Sequence, residues 1–73
     1  MDKIEINTET IQLDQFLKWA GIVESGGQVK LMLEDELIFV NDVPETARRK
    51  KLKDGDVVRI EDIGSWQVVV KGE

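Results

Sequence analysis

Hydrophobic and polar positions follow two different periods along the 73 residues. Lys3-Ile4-Glu5-Ile6-Asn7 alternates every second residue, which predicts a short half-buried strand. Thr8 to Thr10 offers cap chemistry ahead of a helical pattern. Leu13, Phe16, Leu17 and Ala20 then fall at i, i+3, i+4 and i+7, one apolar stripe of a first helix. Lys18 points away from that stripe and Trp19 lies at its edge. Gly21 suits a C-terminal cap, with Ile22-Val23 tucking into the core behind it. A second helix start is marked by Ser25 and Gln28, spaced as a capping box in which the Ser hydroxyl bonds the N3 amide and Gln28 reaches back to the Ser25 amide. Val29, Met32 and Leu33 form its apolar stripe, and Leu31 falls off it. Helices this short are marginal alone, so the two are expected to pack as a hairpin.

From Leu37 the period changes. Leu37-Ile38-Phe39-Val40 reads as a strand, Asn41-Asp42 as a two-residue turn tolerant of positive φ, and Val43 as the return. Pro44 lacks an N–H and confines that return strand to an edge. Arg48 to Lys53 crosses to an Asp54-Gly55 turn, Val57 to Ile60 forms another strand, and Gly64-Ser65 precedes a last one over Trp66 to Val70. The order predicts an α+β fold: an N-terminal strand, then a two-helix hairpin packed on one side of a small antiparallel sheet. A chain of this length buries only about 60% of its unfolded surface, which allows one small core and a single domain over residues 1–73.

Charge modifies this picture more than composition does. Ten basic and 15 acidic residues give a net charge of −5, which by itself argues against a nucleic-acid partner. The charge is uneven, however: residues 1–45 carry −7, residues 46–60 carry +4 and residues 61–73 carry −2. Arg48, Arg49, Lys50, Lys51 and Lys53 make up nearly all of the positive segment, and at a screening length of about 8 Å a local patch outweighs the global sum. Such a run releases counterions from a nucleic acid, and Arg also forks onto phosphate or stacks on an unpaired base. The plainer reading is a solvated loop that balances acids elsewhere. Ser25-Gly26-Gly27-Gln28 opens a helix with free N–H groups and two residues without side chains, an arrangement open to phosphate, with Lys30 in the next turn and Lys18 available from the first helix. Its plainer reading is an ordinary cap on a flexible turn. Trp19 and Trp66 are read as core or rim residues rather than stacking platforms.

The chain has no Cys and no His. That excludes a disulfide scaffold and thiolate metal sites, and removes the usual acid–base group. There is no metal-ligand spacing, no nucleotide-type phosphate loop and no nucleophile arrangement. Asp14, an acid in a first helical turn, is accounted for by the helix dipole. A non-enzymatic protein is therefore expected, with no cofactor, metal or small-molecule substrate. No apolar run approaches the ~20 residues of a membrane span, and the first residues are not a signal peptide, so a cytoplasmic location without a membrane partner is expected.

Three stretches taken together resemble the S4 RNA-binding domain. Leu13-Asp14-Gln15-Phe16-Leu17-Lys18 is similar to that family's Leu-Asp-x-x-Leu opening of helix one. Gly21 through Lys30 is similar to its loop and Ser-initiated second helix. Ile38-Phe39-Val40-Asn41 and Leu52-Lys53-Asp54-Gly55-Asp56-Val57-Val58 are similar to its Val-x-Val-Asn-Gly turn and closing Gly-Asp-x-Val strand. The resemblance covers residues 11–60, and the Gly26-Gly27 pair and N-terminal strand bring the chain nearest the stand-alone, YaaA-like branch. Glu36 and Asp42 stand where the family usually has Gly, and Glu34-Asp35-Glu36 is acidic where it is commonly basic or neutral. The resemblance implies the αL-type RNA-binding fold and a role in translation through structured ribosomal or transfer RNA, in association with the ribosome. It points to Lys18, Ser25, Gly26, Gly27, Gln28 and Lys30, together with Arg48, Arg49, Lys50, Lys51 and Lys53, as the RNA-facing set. Reversing the charge of Arg48, Arg49 and Lys51 is then expected to abolish binding and spare the fold. Two alternatives stay open: a protein-interaction adaptor derived from an RNA-binding fold, and a sulfur-carrier-like β-grasp protein. The second needs a C-terminal Gly-Gly, where this chain has Lys71-Gly72-Glu73.

Overall fold

The computed structural model describes residues 1–71; the chain end that bears on the sulfur-carrier alternative, Gly72-Glu73, lies outside them. The elements in order are β1 (Asp2–Ile6), β2 (Thr10–Gln12), α1 (Leu13–Trp19), α2 (Gly26–Glu34), β3 (Ile38–Val40), β4 (Val43–Pro44), β5 (Lys51–Lys53), β6 (Val57–Ile60) and β7 (Gly64–Val70). This is the expected α+β class. Five strands form one sheet in the order β1-β7-β6-β3-β4, and β2 pairs with β5 in a separate two-stranded ribbon.

The main sheet is mixed rather than antiparallel as expected. β3, β4, β6 and β7 pair antiparallel, but β1 lies parallel to β7, with Ile4 opposite Val68 and Ile6 opposite Val70. A parallel neighbour needs a crossover, and here the whole of the intervening chain supplies it. Side-chain alternation sets which face of β1 is buried, but not the direction of its partner.

A second correction concerns Thr8 to Thr10, which does not cap α1. Thr10 already belongs to β2, opposite Lys53, and the Thr8 hydroxyl donates to the Thr10 carbonyl at 2.7 Å. The helix begins after Gln12, which makes no side-chain cap bond. Its first N–H groups are met from a distance: Leu13 donates to the Lys50 carbonyl at 2.8 Å and Asp14 to the Arg48 carbonyl at 3.1 Å. Gln15 N–H is met by the Asp14 carboxylate at 2.8 Å.

Both helices end in the same way. Gly21, at φ 75°, lets Ile22 N–H close on the Leu17 carbonyl and Gly21 N–H on that of Lys18, so the predicted cap forms. At the end of α2 the equivalent position is Glu36, at φ 58°, with Leu37 N–H on the Met32 carbonyl and Glu36 N–H on Leu33. A left-handed non-glycine residue is strained by roughly 1–2 kcal/mol, partly offset by glycine's larger unfolded-state entropy. Glu36→Gly is therefore expected to stabilise the protein by about 0.5–1 kcal/mol, a rise of about 4 °C in a thermal melt. An unchanged or lower melting temperature would contradict this account of the cap.

One core joins all layers. Leu13, Phe16 and Leu17 of α1 and Val29 and Leu33 of α2 pack with Val23 on Ile6, Ile38, Val40, Leu52, Val58, Ile60 and Val68. Leu52 is the buried residue of β5 between two exposed lysines. The β3–β4 turn is as expected, with Asn41 at φ 51° and Asp42 at φ 66°, both positive as a type I′ turn requires.

Behind that turn lies a polar network. Asp56, 6% exposed, accepts from the Asn41 amide at 3.1 Å, the Lys53 N–H at 2.9 Å and the Lys53 ammonium at 3.2 Å. Asn41 in turn accepts from Val57 N–H at 2.9 Å. Burial alone disfavours the Asp56 carboxylate, but the Lys53 N–H, the Asn41 amide and the Lys53 charge outweigh it and hold its pKa below the usual 3.8.

Candidate nucleic-acid interface

The basic segment is not a free loop. The turn over Ala47 to Lys50, closed by Lys50 N–H on the Ala47 carbonyl at 3.2 Å, lies against the start of α1, and its carbonyls supply the N–H partners described above. Beneath it, Asp14 is 8% exposed and its Oδ2 stands 3.9 Å from Arg48 Nε. Backbone and side chain together fix where Arg48 can reach.

Arg48 reaches the start of α2. Its Nη1 lies 3.9 Å from where a Cβ on Gly26 would stand. Here the predicted capping box forms: Gln28 Oε1 accepts from Ser25 N–H at 3.3 Å and from Glu24 N–H, and Gln28 N–H is closed on the Ser25 carbonyl at 3.2 Å. As the first two helical residues, Gly26 and Gly27 have N–H groups with no intrahelical acceptor. Lys30 is one turn further along the same face and joins Arg48 in lining an open cleft with Leu33, Glu34 and Thr46. Lys18 is one turn on from Asp14 along α1.

The set named from sequence therefore divides. The Gly26 start of α2, Lys30 and Arg48 come together around one cleft, whereas Lys18 is exposed on α1 and does not line it. Lys50, Lys51 and Lys53 instead line a second cleft with Asn41, Val43 and Glu45, because alternation in β5 turns Lys51 and Lys53 away from buried Leu52. Arg49 is exposed on the turn between the two clefts. The Lys53 charge is already engaged by Asp56. Arg59, the remaining cation of residues 46–60, is held by Asp42 at 3.9 Å and Glu61 at 2.8 Å, over the Phe39 ring at 4.1 Å.

Neither tryptophan enters these clefts. Trp19 is 57% exposed, and its indole N–H donates to the Glu5 carbonyl on β1 at 2.9 Å. Trp66 is half-buried against the core. Leu31, placed off the helical stripe from sequence, is exposed. The contribution that sequence reading missed is Asp14. A first-turn acid looks like an ordinary dipole partner, and only the fold brings Arg48 over it. Among the described residues, no group of three or more metal-ligating side chains forms, and no helix is long and apolar enough to cross a membrane.

The family model of the S4 domain matches residues 4–69. This chain belongs to the S4 domain family. The S4 match takes in the latter part of β1 and most of β7 as well as the helices. Among curated proteins, the chain is 52% identical over 66 residues to the probable ribosome maturation protein RlbA of Bacillus subtilis (strain 168), covering 90% of this chain and 93% of that protein. In this S4 domain, Asn41 and Asp56, two of the polar positions of the resemblance read from sequence, bond to each other. That part of the signature is accounted for by folding.

Proposed function

We propose that this S4 protein is a non-enzymatic binder of structured RNA, ribosomal RNA above all, acting in the cytoplasm on the ribosome or its precursors. The observation that carries this reading is the place of Arg48: its guanidinium lies against the side-chain-free start of α2, with Lys30 in the same cleft. Free helical N–H groups and two cations at one cleft suit the phosphates of a folded RNA, whose shape and backbone offer more to such a surface than its paired bases do. The relationship to a probable ribosome maturation protein supports ribosomal over transfer RNA. Lys50 and Lys51 extend the contact on the far side of the Arg49 turn.

The test is binding to ribosomal RNA fragments over a range of salt. Three or four neutralised phosphates predict that log K falls against log salt with a slope of about −3. A slope near zero, or retention of ribosomal material that survives ribonuclease, would favour the adaptor alternative instead. The sulfur-carrier alternative is displaced by membership of the S4 family.

A further inference from the structure

The cleft between α2 and the Thr46–Arg48 segment contains one group that a phosphate site does not want. Lys30 and Arg48 supply positive charge, Leu33 supplies an apolar surface and Thr46 a hydroxyl, but Glu34 places a carboxylate on the same wall. Glu34 is exposed and makes no ion pair or side-chain hydrogen bond among the described residues, although Lys30 is only one helical turn away. The cleft has a volume of about 430 Å³, within the range of small-ligand sites and large enough for a nucleotide.

A carboxylate beside RNA repels the backbone, yet it is a strong acceptor for base N–H groups. The four bases differ sharply in what they offer it along the Watson–Crick edge. Guanine presents two adjacent donors, N1–H and N2–H, matched to the two oxygens of one carboxylate. Adenine and cytosine present one amino donor beside a lone-pair nitrogen that the carboxylate repels. Uracil presents one N–H flanked by two carbonyls. Only an unpaired base has this edge free, and single-stranded loops and bulges are where proteins read RNA sequence.

We infer that this cleft takes an unpaired guanosine of the bound RNA. Glu34 accepts from guanine N1–H and N2–H, the edge of Leu33 that reaches the cleft borders the ring, and Arg48 and Lys30 hold the flanking phosphates. The inference rests on the RNA-binding reading above and adds a base preference to a surface otherwise suited to backbone contacts.

The experiment uses the whole protein and RNA hairpins that differ in one loop nucleotide, read by fluorescence anisotropy at fixed salt. The guanosine loop is expected to bind about 10- to 100-fold more tightly than the adenosine, uridine or cytidine loops, the discrimination a good two-bond base contact gives. Glu34→Gln is expected to remove that preference while binding of the adenosine loop stays the same or tightens, since Glu34 is exposed and its replacement leaves the fold intact. Equal, salt-dependent binding of all four loops overturns the guanosine assignment and leaves the RNA reading standing; loss of binding to every hairpin overturns both. Free guanosine monophosphate is the third arm. Displacement only at far higher concentration than the hairpin supports a base carried by RNA, and displacement at equal concentration overturns that source.

Discussion

Neutralising Arg48 and Lys30 together, as Arg48→Gln with Lys30→Gln, is expected to weaken ribosomal RNA binding by about 100-fold at moderate salt. Each residue is placed for a charge-assisted contact to phosphate, and such bonds contribute roughly 1.5–3 kcal/mol; two at the lower end give about two factors of ten. The dependence of affinity on salt should flatten as well, by about 1.5 in the log–log slope, because two fewer counterions are released. Glutamine is preferable to a charge reversal at Arg48. A glutamate there would face Asp14, 8% exposed, and the like charges would loosen the turn that the binding experiment needs intact. Reversal of Arg48, Arg49 and Lys51 is therefore a less clean test of binding than the neutral pair. Loss of the Arg48–Asp14 pair costs little stability, since it is long at 3.9 Å and Arg48 is 42% exposed. Arg59→Gln is the control: its charge is held by Asp42 and Glu61, so its affinity should stay within about threefold of the parent's. Unchanged affinity in the double variant would remove the α2 face from the interface.

The largest effect on stability is expected at Asp56. Asp56→Asn puts an amide where an acceptor of three hydrogen bonds stood, so its N–H₂ meets either the Lys53 N–H, which bonds Oδ2, or both the Asn41 amide and the Lys53 ammonium, which bond Oδ1. A buried donor left unpaired costs roughly 1–3 kcal/mol, and the variant should lose about 2–3 kcal/mol at pH 7 in denaturant unfolding. The pH dependence has a definite sign. Because the folded-state pKa is below the unfolded 3.8, the carboxylate contributes its full stability above about pH 4 and loses it as pH falls through the folded value. The gap between parent and variant should therefore close on acidification below pH 4 and stay constant from pH 5 to 8. A gap that instead widens in acid would contradict the network.

These two experiments probe the parts of the molecule that were respectively hard and easy to read from the chain. Asn41 and Asp56 were visible as motif positions, and the helices, the Ser25–Gln28 box, the Gly21 cap and the Asn41-Asp42 turn were legible because each signal lies within a few residues of the structure it specifies. β2 was not legible. Its three residues are a strand only because Lys51 to Lys53 pair with them, and the same distant segment caps α1 in place of Thr8 to Thr10. The partner of β1 was hidden for a related reason, since alternation tells which residues face the core and is silent on strand direction. Charge counting picked out the basic segment but treated it as one patch. The division of its cations between two clefts follows from the burial of Leu52, which fixes the alternation of β5, and from Asp14, which draws Arg48 the other way.

The pairing of β1 with β7 has a consequence for the newborn chain. Among the described strands, β1 is made before the others and its sheet neighbour β7 after them, so β1 waits for that pairing until β7 emerges. During that interval its exposed amides and carbonyls are open to foreign strands. Trp19 is made early enough to engage the Glu5 carbonyl before β7 exists, a single tether for a strand still waiting for its mate.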